Sequence, residues 1–288
     1  MAVQWGAQDA RQWIAIPVGT DDKYSRGVLG VVTGSERYPG AAVLGVEAAA
    51  RTGVGMIRYL GSERPTDYVL RRRPEVVTVP GRVHSWLIGS GMVAGDREPG
   101  EADRLMRALD DRVPLVIDAG ALDLVTHAAV PVVITPHYGE LARTLTNCDQ
   151  ATPVSATEIS ADPVTWASRA AALLNATVLV KGHTTHVVSP SGTHVVVQAE
   201  SAWLATAGSG DVLGGIMGAL LATHSDAVHK HGHDVLVPLA ATAAWIHARA
   251  GEHASKGGPL VALDIAEAVP AVIRELLSDQ LLLGVEKK

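Results

Sequence analysis

The sequence predicts an α/β fold in which a doubly wound, mostly parallel sheet has helices on both faces. Val- and Ile-rich runs without polar alternation indicate parallel strands covered on both sides, and they lie at residues 28–33, 115–118, 132–135 and 178–181. Helical stretches separate these runs. A length of 288 residues, 47% hydrophobic and 19% charged, suits one domain, 1–288, with an extensive core.

The helices are predicted in order between the strands. The clearest is 39–51, because Pro39 can occupy the first turn, an Ala-rich body follows, and Gly53 can supply a left-handed stop. A further apolar strand, 86–88, ends in a glycine cluster at 89–92. The other helices are predicted over residues 102–110, 139–145, 164–174, 211–222, 235–252 and 263–277.

One segment departs from this alternation. Residues 185–189 and 193–197 are short β-branched runs around a Pro-Ser-Gly turn, which predicts an antiparallel hairpin at one edge of the sheet. The tracts without a clear period, residues 64–73, 147–162 and 225–234, are predicted as loops.

Composition excludes several classes of function. The net charge is -6 and the basic residues are scattered, so no nucleic-acid partner is expected. No apolar run is long enough to span a bilayer, so we expect no membrane partner. The single cysteine, Cys148, cannot form an internal disulfide, and the first residues are too polar for a secretory signal, which favours the cytoplasm.

The strongest chemical signal is Thr-Ala-Gly-Ser-Gly-Asp at 206–211, directly before a predicted helix. Gly208, Ser209 and Gly210 can bring free N–H groups to a phosphate at the positive end of the helix dipole. We expect that dipole to lower the pKa of Asp211 and keep it ionised, ready to accept a proton from a hydroxyl that attacks a phosphoryl group. The simpler alternative is an ordinary capping aspartate.

Two strand ends carry further polar residues. Lys181 and Gly182 follow a buried strand, and His137 and Glu140 follow the strand before it. Ligands of open α/β sheets gather at the carboxyl ends of strands, so both segments are placed to meet a nucleotide. A surface lysine beside a turn, a structural histidine and a capping-box glutamate are the corresponding alternatives.

Glycine-rich segments at 34–42 and 89–92 also follow predicted strands. Each alone is an ordinary βα turn. Together with 135–141, 181–185 and 206–211 they predict one crevice lined by five segments.

Four of these motifs together resemble the ADP/ATP-dependent NAD(P)H-hydrate dehydratase family, which has a ribokinase-like fold. They are Tyr-Pro-Gly-Ala-Ala at 38–42, Thr-Pro-His-Tyr-Gly-Glu at 135–140, Lys-Gly at 181–182 and Thr-Ala-Gly-Ser-Gly-Asp at 206–211. The similarity extends over residues 23–277, and the set of four is specific although each motif alone is weak.

The resemblance implies repair of hydrated NADH or NADPH by phosphorylation of the C6 hydroxyl with ADP or ATP, and elimination of phosphate. It makes Asp211 the catalytic base and a substrate contact. It assigns the adenine nucleotide to Lys181, Gly182, His183, Thr184, Thr185 and Gly210. Residues 206–211, which we call the anion loop, include Gly210 and lie beside the others. It assigns the substrate to Ala41 or Ala42, Gly91 and His137. Mg²⁺ should accompany the nucleotide, with metal ligands that the sequence does not identify.

The resemblance also implies a homo-oligomer, commonly a tetramer, and a stand-alone chain whose companion epimerase activity is supplied elsewhere.

The sequence departs from the family pattern at two places. Residues 89–92 are Gly-Ser-Gly-Met where relatives commonly have Gly-Pro-Gly-Leu, and Gly120 stands where they usually have a second Asp. The second departure puts in doubt a carboxylate role in positioning metal or substrate.

Two alternatives share Asp211 and the anion loop. One is a vitamin-precursor kinase that releases a stable phosphate ester, and the other is a non-catalytic nucleotide sensor, motivated by Gly120. Three other features are given structural interpretations: Cys148, the histidines at 224, 229, 231 and 233 as a polar loop more than a metal site, and Arg71, Arg72 and Arg73 as a solvated face.

Overall fold

A computed structural model of the chain describes residues 2–148 and 153–285. Within them, nine strands form one sheet in the order β1-β9-β8-β7-β6-β5-β4-β2-β3. The strands are β1 (Val3–Gln4), β2 (Val28–Val32), β3 (Met56–Tyr59), β4 (Ser85–Ile88), β5 (Leu115–Ile117), β6 (Val132–Ile134), β7 (Thr177–Val180), β8 (Thr184–Val188) and β9 (His194–Gln198).

All neighbouring strands pair in parallel except β7 with β8 and β8 with β9, so β8 alone runs against the others. The mostly parallel sheet and the hairpin are therefore confirmed. The hairpin is not the outermost element, because the short β1 pairs with β9 beyond it. Neither β1 nor the edge strand β3 was predicted, since β1 has two residues and β3 alternates buried and partly exposed positions.

The seven predicted helices are confirmed to within a few residues at most ends. The α-helices of the described residues are α1 (Ala7–Arg11), α2 (Gly40–Thr52), α3 (Glu63–Arg72), α4 (Glu101–Asp110), α5 (Tyr138–Cys148), α6 (Ala156–Ala161), α7 (Pro163–Leu174), α8 (Ser209–Thr223), α9 (Ser225–His231), α10 (His233–Ser255) and α11 (Ala262–Val285). Helix α2 stops at Gly53 in the left-handed conformation, as predicted.

The three predicted loops are wrong in part. Residues 64–73 largely form α3, which buries only Pro65 and Val69, so its apolar face is too narrow to give a helical period. Residues 225–234 form α9 and the start of α10. Residues 147–162 include the end of α5 and all of α6, while 149–152 lie outside the described residues.

Two apolar cores cover the two faces of the sheet. In β2, Leu29 and Val31 pack with α2, α8, α10 and α11 on one side, while Val28 and Val32 pack with α4, α5 and α7 on the other. Both faces of the strand are thus buried, which explains the absence of polar alternation. The helices lie on both faces, as the doubly wound fold requires.

Helices α2 and α8 approach each other at their backbones. A Cβ added at Gly215 would collide with the carbonyl oxygen of Gly45, so the contact requires glycine. It holds the middle of α8 against α2, and a Cβ at Gly45 would lie 3.5 Å from the carbonyl oxygen of Asp211, so the two backbones are also close at the start of α8.

The arginine run does not form a solvated face throughout. Glu47 on α2 is fully buried and accepts hydrogen bonds from Arg51 at 2.6 Å, Arg72 at 3.1 Å and Arg73 at 2.6 Å. Arg72 also pairs with Glu267 on α11, and only Arg71 fits the solvated interpretation. These charges connect α2, α3 and α11.

No helix within 2–148 or 153–285 has the length and apolar character needed to cross a membrane. The same residues contain no group of three or more side chains that could hold a metal ion, so the four clustered histidines form no such site. They lie on or beside α9 and α10 instead of in a loop.

Candidate active site

Five segments meet at the carboxyl edge of the sheet, as predicted. The backbone N–H of Gly34 donates to the carbonyl oxygen of Ser90, and the hydroxyl of Ser90 donates to Asp118. Thr135 also donates to Asp118, and the Lys181 ammonium contacts the same carboxylate. A Cβ at Gly210 would lie 3.3 Å from the Lys181 ammonium, so the glycine loop adjoins this chain of contacts. The crevice is therefore confirmed.

Lys181 occupies the centre of the site. Its Nζ lies 2.9 Å from Oδ1 of Asp118 and 3.6 Å from Oε2 of Glu140, and its side chain is 20% exposed. Burial alone lowers the pKa of Lys181, but the charges of Asp118 and Glu140 outweigh burial and raise it. The lysine therefore stays charged, and it is not the simple surface lysine of the alternative interpretation.

Asp118 lies at the centre of these contacts but is not among the predicted site residues. It follows β5, is almost fully buried, and accepts hydrogen bonds from Ser90 at 2.9 Å and Thr135 at 2.8 Å in addition to the lysine. The sequence signal was an acidic residue at the end of a fully apolar strand, where ligand sites of open sheets gather.

Asp211 lies in the first turn of α8 and is half-buried. Burial and then the negative charge of Asp118 raise the pKa of Asp211 to about 7, against the opposing effect of Lys181. The expectation that the helix dipole would lower this pKa is wrong, because burial and two neighbouring carboxylates outweigh the dipole. A carboxyl group with a pKa near 7 can exchange protons at neutral pH.

The glycine loop forms the predicted helix start. Gly208 caps α8 in the left-handed conformation with φ 87°, and a Cβ there would collide with Leu44. The N–H of Ser209 donates to the carbonyl oxygen of Thr206, whereas the N–H groups of Gly210 and Asp211 have no backbone acceptor among the described residues. Gly210 adjoins the Lys181 ammonium, so these free N–H groups lie beside it. A helix N-terminus and an ammonium side by side make a site suited to phosphate oxygens.

A cavity of about 680 Å³ opens beside this loop. Residues 199–206, Leu213 of α8 and α10 with His247 supply its other walls. Of the residues predicted to bind nucleotide, six line the cavity: Lys181, Gly182, His183, Thr185, Ser209 and Gly210. Two do not, since Thr184 hydrogen-bonds Gln198 and Gly208 packs against Leu44.

His247 was not predicted as a site residue. Its Nε2 lies 3.0 Å from both the hydroxyl and the carbonyl oxygen of Ser209, so His247 connects α10 to the anion loop. Burial lowers the pKa of His247 to about 4, so the imidazole is neutral at pH 7. No local pattern indicated this role, because the two residues are 38 positions apart.

The predicted substrate residues surround the same centre. His137 is 54% exposed, and its Nδ1 accepts hydrogen bonds from the N–H groups of Gly139 and Glu140, so it caps α5. Glu140 reaches back to the N–H of His137 at 2.9 Å as a capping residue, and also approaches Lys181. Glu140 is therefore a capping residue of α5 and also lies in the candidate site.

Ala41, Ala42 and Gly91 are packed together at the opposite side of the crevice. Both alanine side chains are buried at the start of α2, and Gly91 lies directly against the Cβ of Ala41. A ligand at these positions would contact backbone atoms, because the side chains face the protein.

Gly120 has no room for a side chain. A Cβ there would collide with the backbone carbonyl of Met92, so an aspartate would require the backbone to move. The crevice nevertheless keeps a carboxylate close by, since Asp118 lies two residues earlier.

Comparison with known proteins gives the family. The NAD(P)H-hydrate dehydratase family model matches residues 29–270. The chain belongs to the NAD(P)H-hydrate dehydratase family. The matched range contains all the predicted site residues of the dehydratase crevice described above.

Two relatives and one solved structure illustrate this dehydratase family. The chain is 41% identical over 226 residues to the bifunctional NAD(P)H-hydrate repair enzyme Nnr of Mycobacterium tuberculosis strain H37Rv, covering 74% of this chain and 44% of that protein. It therefore spans less than half the length of that relative. It is 33% identical over 264 residues to the ADP-dependent (S)-NAD(P)H-hydrate dehydratase of Neisseria meningitidis serogroup B, covering 84% and 83%.

The structural match is to ADP/ATP-dependent NAD(P)H-hydrate dehydratase from Bacillus subtilis, co-crystallised with ATP and Mg²⁺. Its TM-score is 0.79 at 22% identity, covering 96% of this chain and 99% of that chain. The predicted ribokinase-like fold is confirmed.

Proposed function

We propose that this chain restores NADH and NADPH from their hydrates, with ADP or ATP as co-substrate. One observation carries the proposal: Asp211 has a pKa of about 7 and lies at the start of a helix whose N-terminus, together with Lys181, adjoins a nucleotide-sized cavity. Membership of the family and the activities named for the Neisseria and Bacillus proteins support it.

Asp211 accepts the proton of the C6 hydroxyl as the hydroxyl oxygen attacks the terminal phosphoryl group of the nucleotide. The P–O bond to the shortened nucleotide breaks, and the first N–H groups of α8 and the Lys181 ammonium stabilise the charge on the transferred group. The C6–O bond then breaks with the help of the ring-nitrogen electron pair, and phosphate leaves. A proton passes from C5 to solvent, and the electrons of that C–H bond form the C5=C6 double bond of the reduced cofactor.

The binding roles follow the walls of the crevice. We assign the adenine nucleotide to Lys181, Gly182, His183, Thr184, Thr185, Gly208, Ser209 and Gly210, with Thr184 and Gly208 contributing backbone only. We assign the substrate to Asp211, His137, Gly91 and the backbone of Ala41 and Ala42.

Magnesium fits the charge distribution of the site. Asp118, Glu140 and Asp211 surround one ammonium, so the carboxylates outnumber the cation. Since the described residues offer no group of three metal-binding side chains, the ion would be held mainly by nucleotide phosphates, with Asp118 or Glu140 as protein ligands. When bound, it would neutralise charge on those phosphates.

The test is a reconstitution with purified protein. NADH hydrate or NADPH hydrate is incubated with Mg²⁺ and either ADP or ATP, and the near-ultraviolet absorbance of the dihydronicotinamide is followed. Return of absorbance, with one phosphate released per cofactor, is expected. Phosphorylation of a thiazole or pyridoxal alcohol without any return would favour the kinase, and nucleotide binding without consumption would favour the sensor.

Other expectations stay predictions. These are the single domain over residues 1–288, the cytoplasmic location and the homotetramer. Sedimentation of the purified chain tests the tetramer directly.

A further inference from the structure

A second cavity, of about 810 Å³, lies on the other face of the sheet. Residues 92–94 after β4, residues 119–126 after β5, and helix α5 form most of its wall, and the end of α7 closes it. It borders the same charged centre as the nucleotide cavity, because Glu140 lines it and approaches the Lys181 ammonium to 3.6 Å.

The two cavities lie on either side of the Lys181–Glu140 contact, since Lys181 and His137 line the first and Glu140 lines the second. The nucleotide cavity follows β6, β7 and β9 and is walled by α8 and α10, whereas the second cavity follows β4 and β5 and is walled by α5. The proposed reaction joins two nucleotide-sized substrates at one point. It therefore needs two binding spaces that meet there, and both volumes fall in the range of ligand sites, roughly 300–1,000 Å³.

One charged side chain of the second cavity has no partner of its own among the described residues. Its charged side chains are Asp123, Glu140 and Arg143. Asp123 is neutralised by Arg97, and Glu140 is held by Lys181 and the N–H of His137. Arg143 is exposed and makes no hydrogen bond or ion pair within residues 2–148 and 153–285. An unpaired guanidinium is the group best suited to bind phosphate oxygens in pairs.

Arg143 lies near the reacting end of the cavity. Its Nη1 would be 3.7 Å from a Cβ at Gly139, and that Cβ would be 3.1 Å from Cε1 of His137. The guanidinium is thus above the first turn of α5, close to the proposed substrate contact. The remaining lining is mixed: Met92, Val93, Leu122, Leu173 and Leu174 are apolar, while Thr126, Thr144 and Asn147 supply polar groups.

We propose that this second cavity binds the adenosine diphosphate portion of the dinucleotide hydrate, with Arg143 binding its pyrophosphate. The inference rests on the proposed function. The hydrated ring lies at Asp211 and His137, the pyrophosphate follows at Arg143, and the adenosine lies against the apolar wall that includes Leu173, which is 47% exposed. The pyrophosphate is assigned to Arg143 because it is the phosphate nearer the ring, whereas the 2′-phosphate of NADPH is at the far end.

The first test is Arg143→Met in the full chain. Loss of a charge-assisted hydrogen-bond pair should raise KM for both hydrates by about 10- to 100-fold, with nucleotide KM unchanged. The matched control is Arg71→Met, an exposed arginine on α3 outside both cavities, which should leave every constant unchanged.

The second test fills the cavity without removing a charge. Ala94 is exposed and lines the cavity, so Ala94→Trp should also raise KM for both hydrates while nucleotide affinity, measured by calorimetry, stays at the wild-type value. Retained nucleotide affinity shows that both variants are folded.

The outcomes separate this inference from the proposed function. Unchanged KM in both variants, with a wild-type chain that repairs hydrate, would overturn the inference alone. A rise in KM for the NADPH hydrate only would overturn the assignment of Arg143 to the pyrophosphate. If wild type repairs no hydrate, the proposed function fails. Calorimetric binding of NADH and NADPH to wild type and to Arg143→Met then tests the binding role of the second cavity independently of activity. Equal affinity of the two proteins would then refute it.

Discussion

The pH dependence of turnover follows from the surroundings of Asp211. Burial and the neighbouring carboxylate of Asp118 raise its pKa to about 7. The base must be ionised to accept a proton, so kcat/KM should rise with pH and level off above pH 7. Below the pKa the ionised fraction falls about tenfold per pH unit, so activity at pH 5 should be roughly one hundredth of the plateau.

The nucleotide phosphates also ionise in this range, and a second variant separates the two causes. Asp118→Asn removes a negative charge that raises the pKa of Asp211 and leaves Lys181, which lowers it, in place. The acidic limb of the profile should therefore move to lower pH. The nucleotide has the same pKa values in both assays, so its ionisation cannot produce this shift.

The assay is initial-rate absorbance recovery from pH 5 to pH 9 at saturating Mg²⁺, with hydrate added last. A profile with no acidic limb in wild type would refute the assignment of a pKa of about 7 to the base. A limb at the same pH in wild type and Asp118→Asn would show that a group other than Asp211 is titrating.

Three further predictions concern single residues. Asp211→Asn should slow turnover by about 10²- to 10⁴-fold while calorimetry finds nucleotide still bound; unchanged turnover would remove Asp211 from the mechanism. Lys181→Ala should weaken nucleotide binding, and equal affinity in the same titration contradicts the assignment. Burial alone raises the pKa of Glu47, but Arg73, Arg51 and Arg72 lower it to about 2. The lowered pKa corresponds to about 3 kcal/mol of folding stability. This stability is present above pH 4.5 and is lost as the pH falls toward 2. Urea unfolding of Glu47→Gln at pH 7 and pH 3 checks this, with a smaller difference from wild type expected at pH 3.

Local patterns predicted most of the fold. The apolar strands and the long helices are visible in the sequence because each buries a continuous face, and Gly53 marks the end of α2. Helix α3 was not predicted because it buries only Pro65 and Val69, and because the ion pairs of Arg72 and Arg73 with Glu47 join residues 25 and 26 positions apart. Periodicity does not detect such pairs.

The sequence predicted where the candidate site lies better than it predicted which residues contact each other there. Strand ends and the glycine loop indicated where Lys181, His137 and Asp211 would meet. Partners distant in sequence could not be inferred: Asp118 is 63 residues from Lys181, and His247 is 38 residues from Ser209. The pKa of Asp211 was mispredicted for the same reason, because it depends on charges brought together only by folding.

The glycine contact between α2 and α8 has a consequence for how the base is held. Gly215 is one helical turn after Asp211, and its backbone rests on that of Gly45. Main-chain atoms cannot change rotamer, so nothing in this contact can relax to let α8 slide along its neighbour. The position of Asp211, the proposed base, relative to α2 is therefore fixed by the backbone, and a substrate has to bind in an orientation that this position allows.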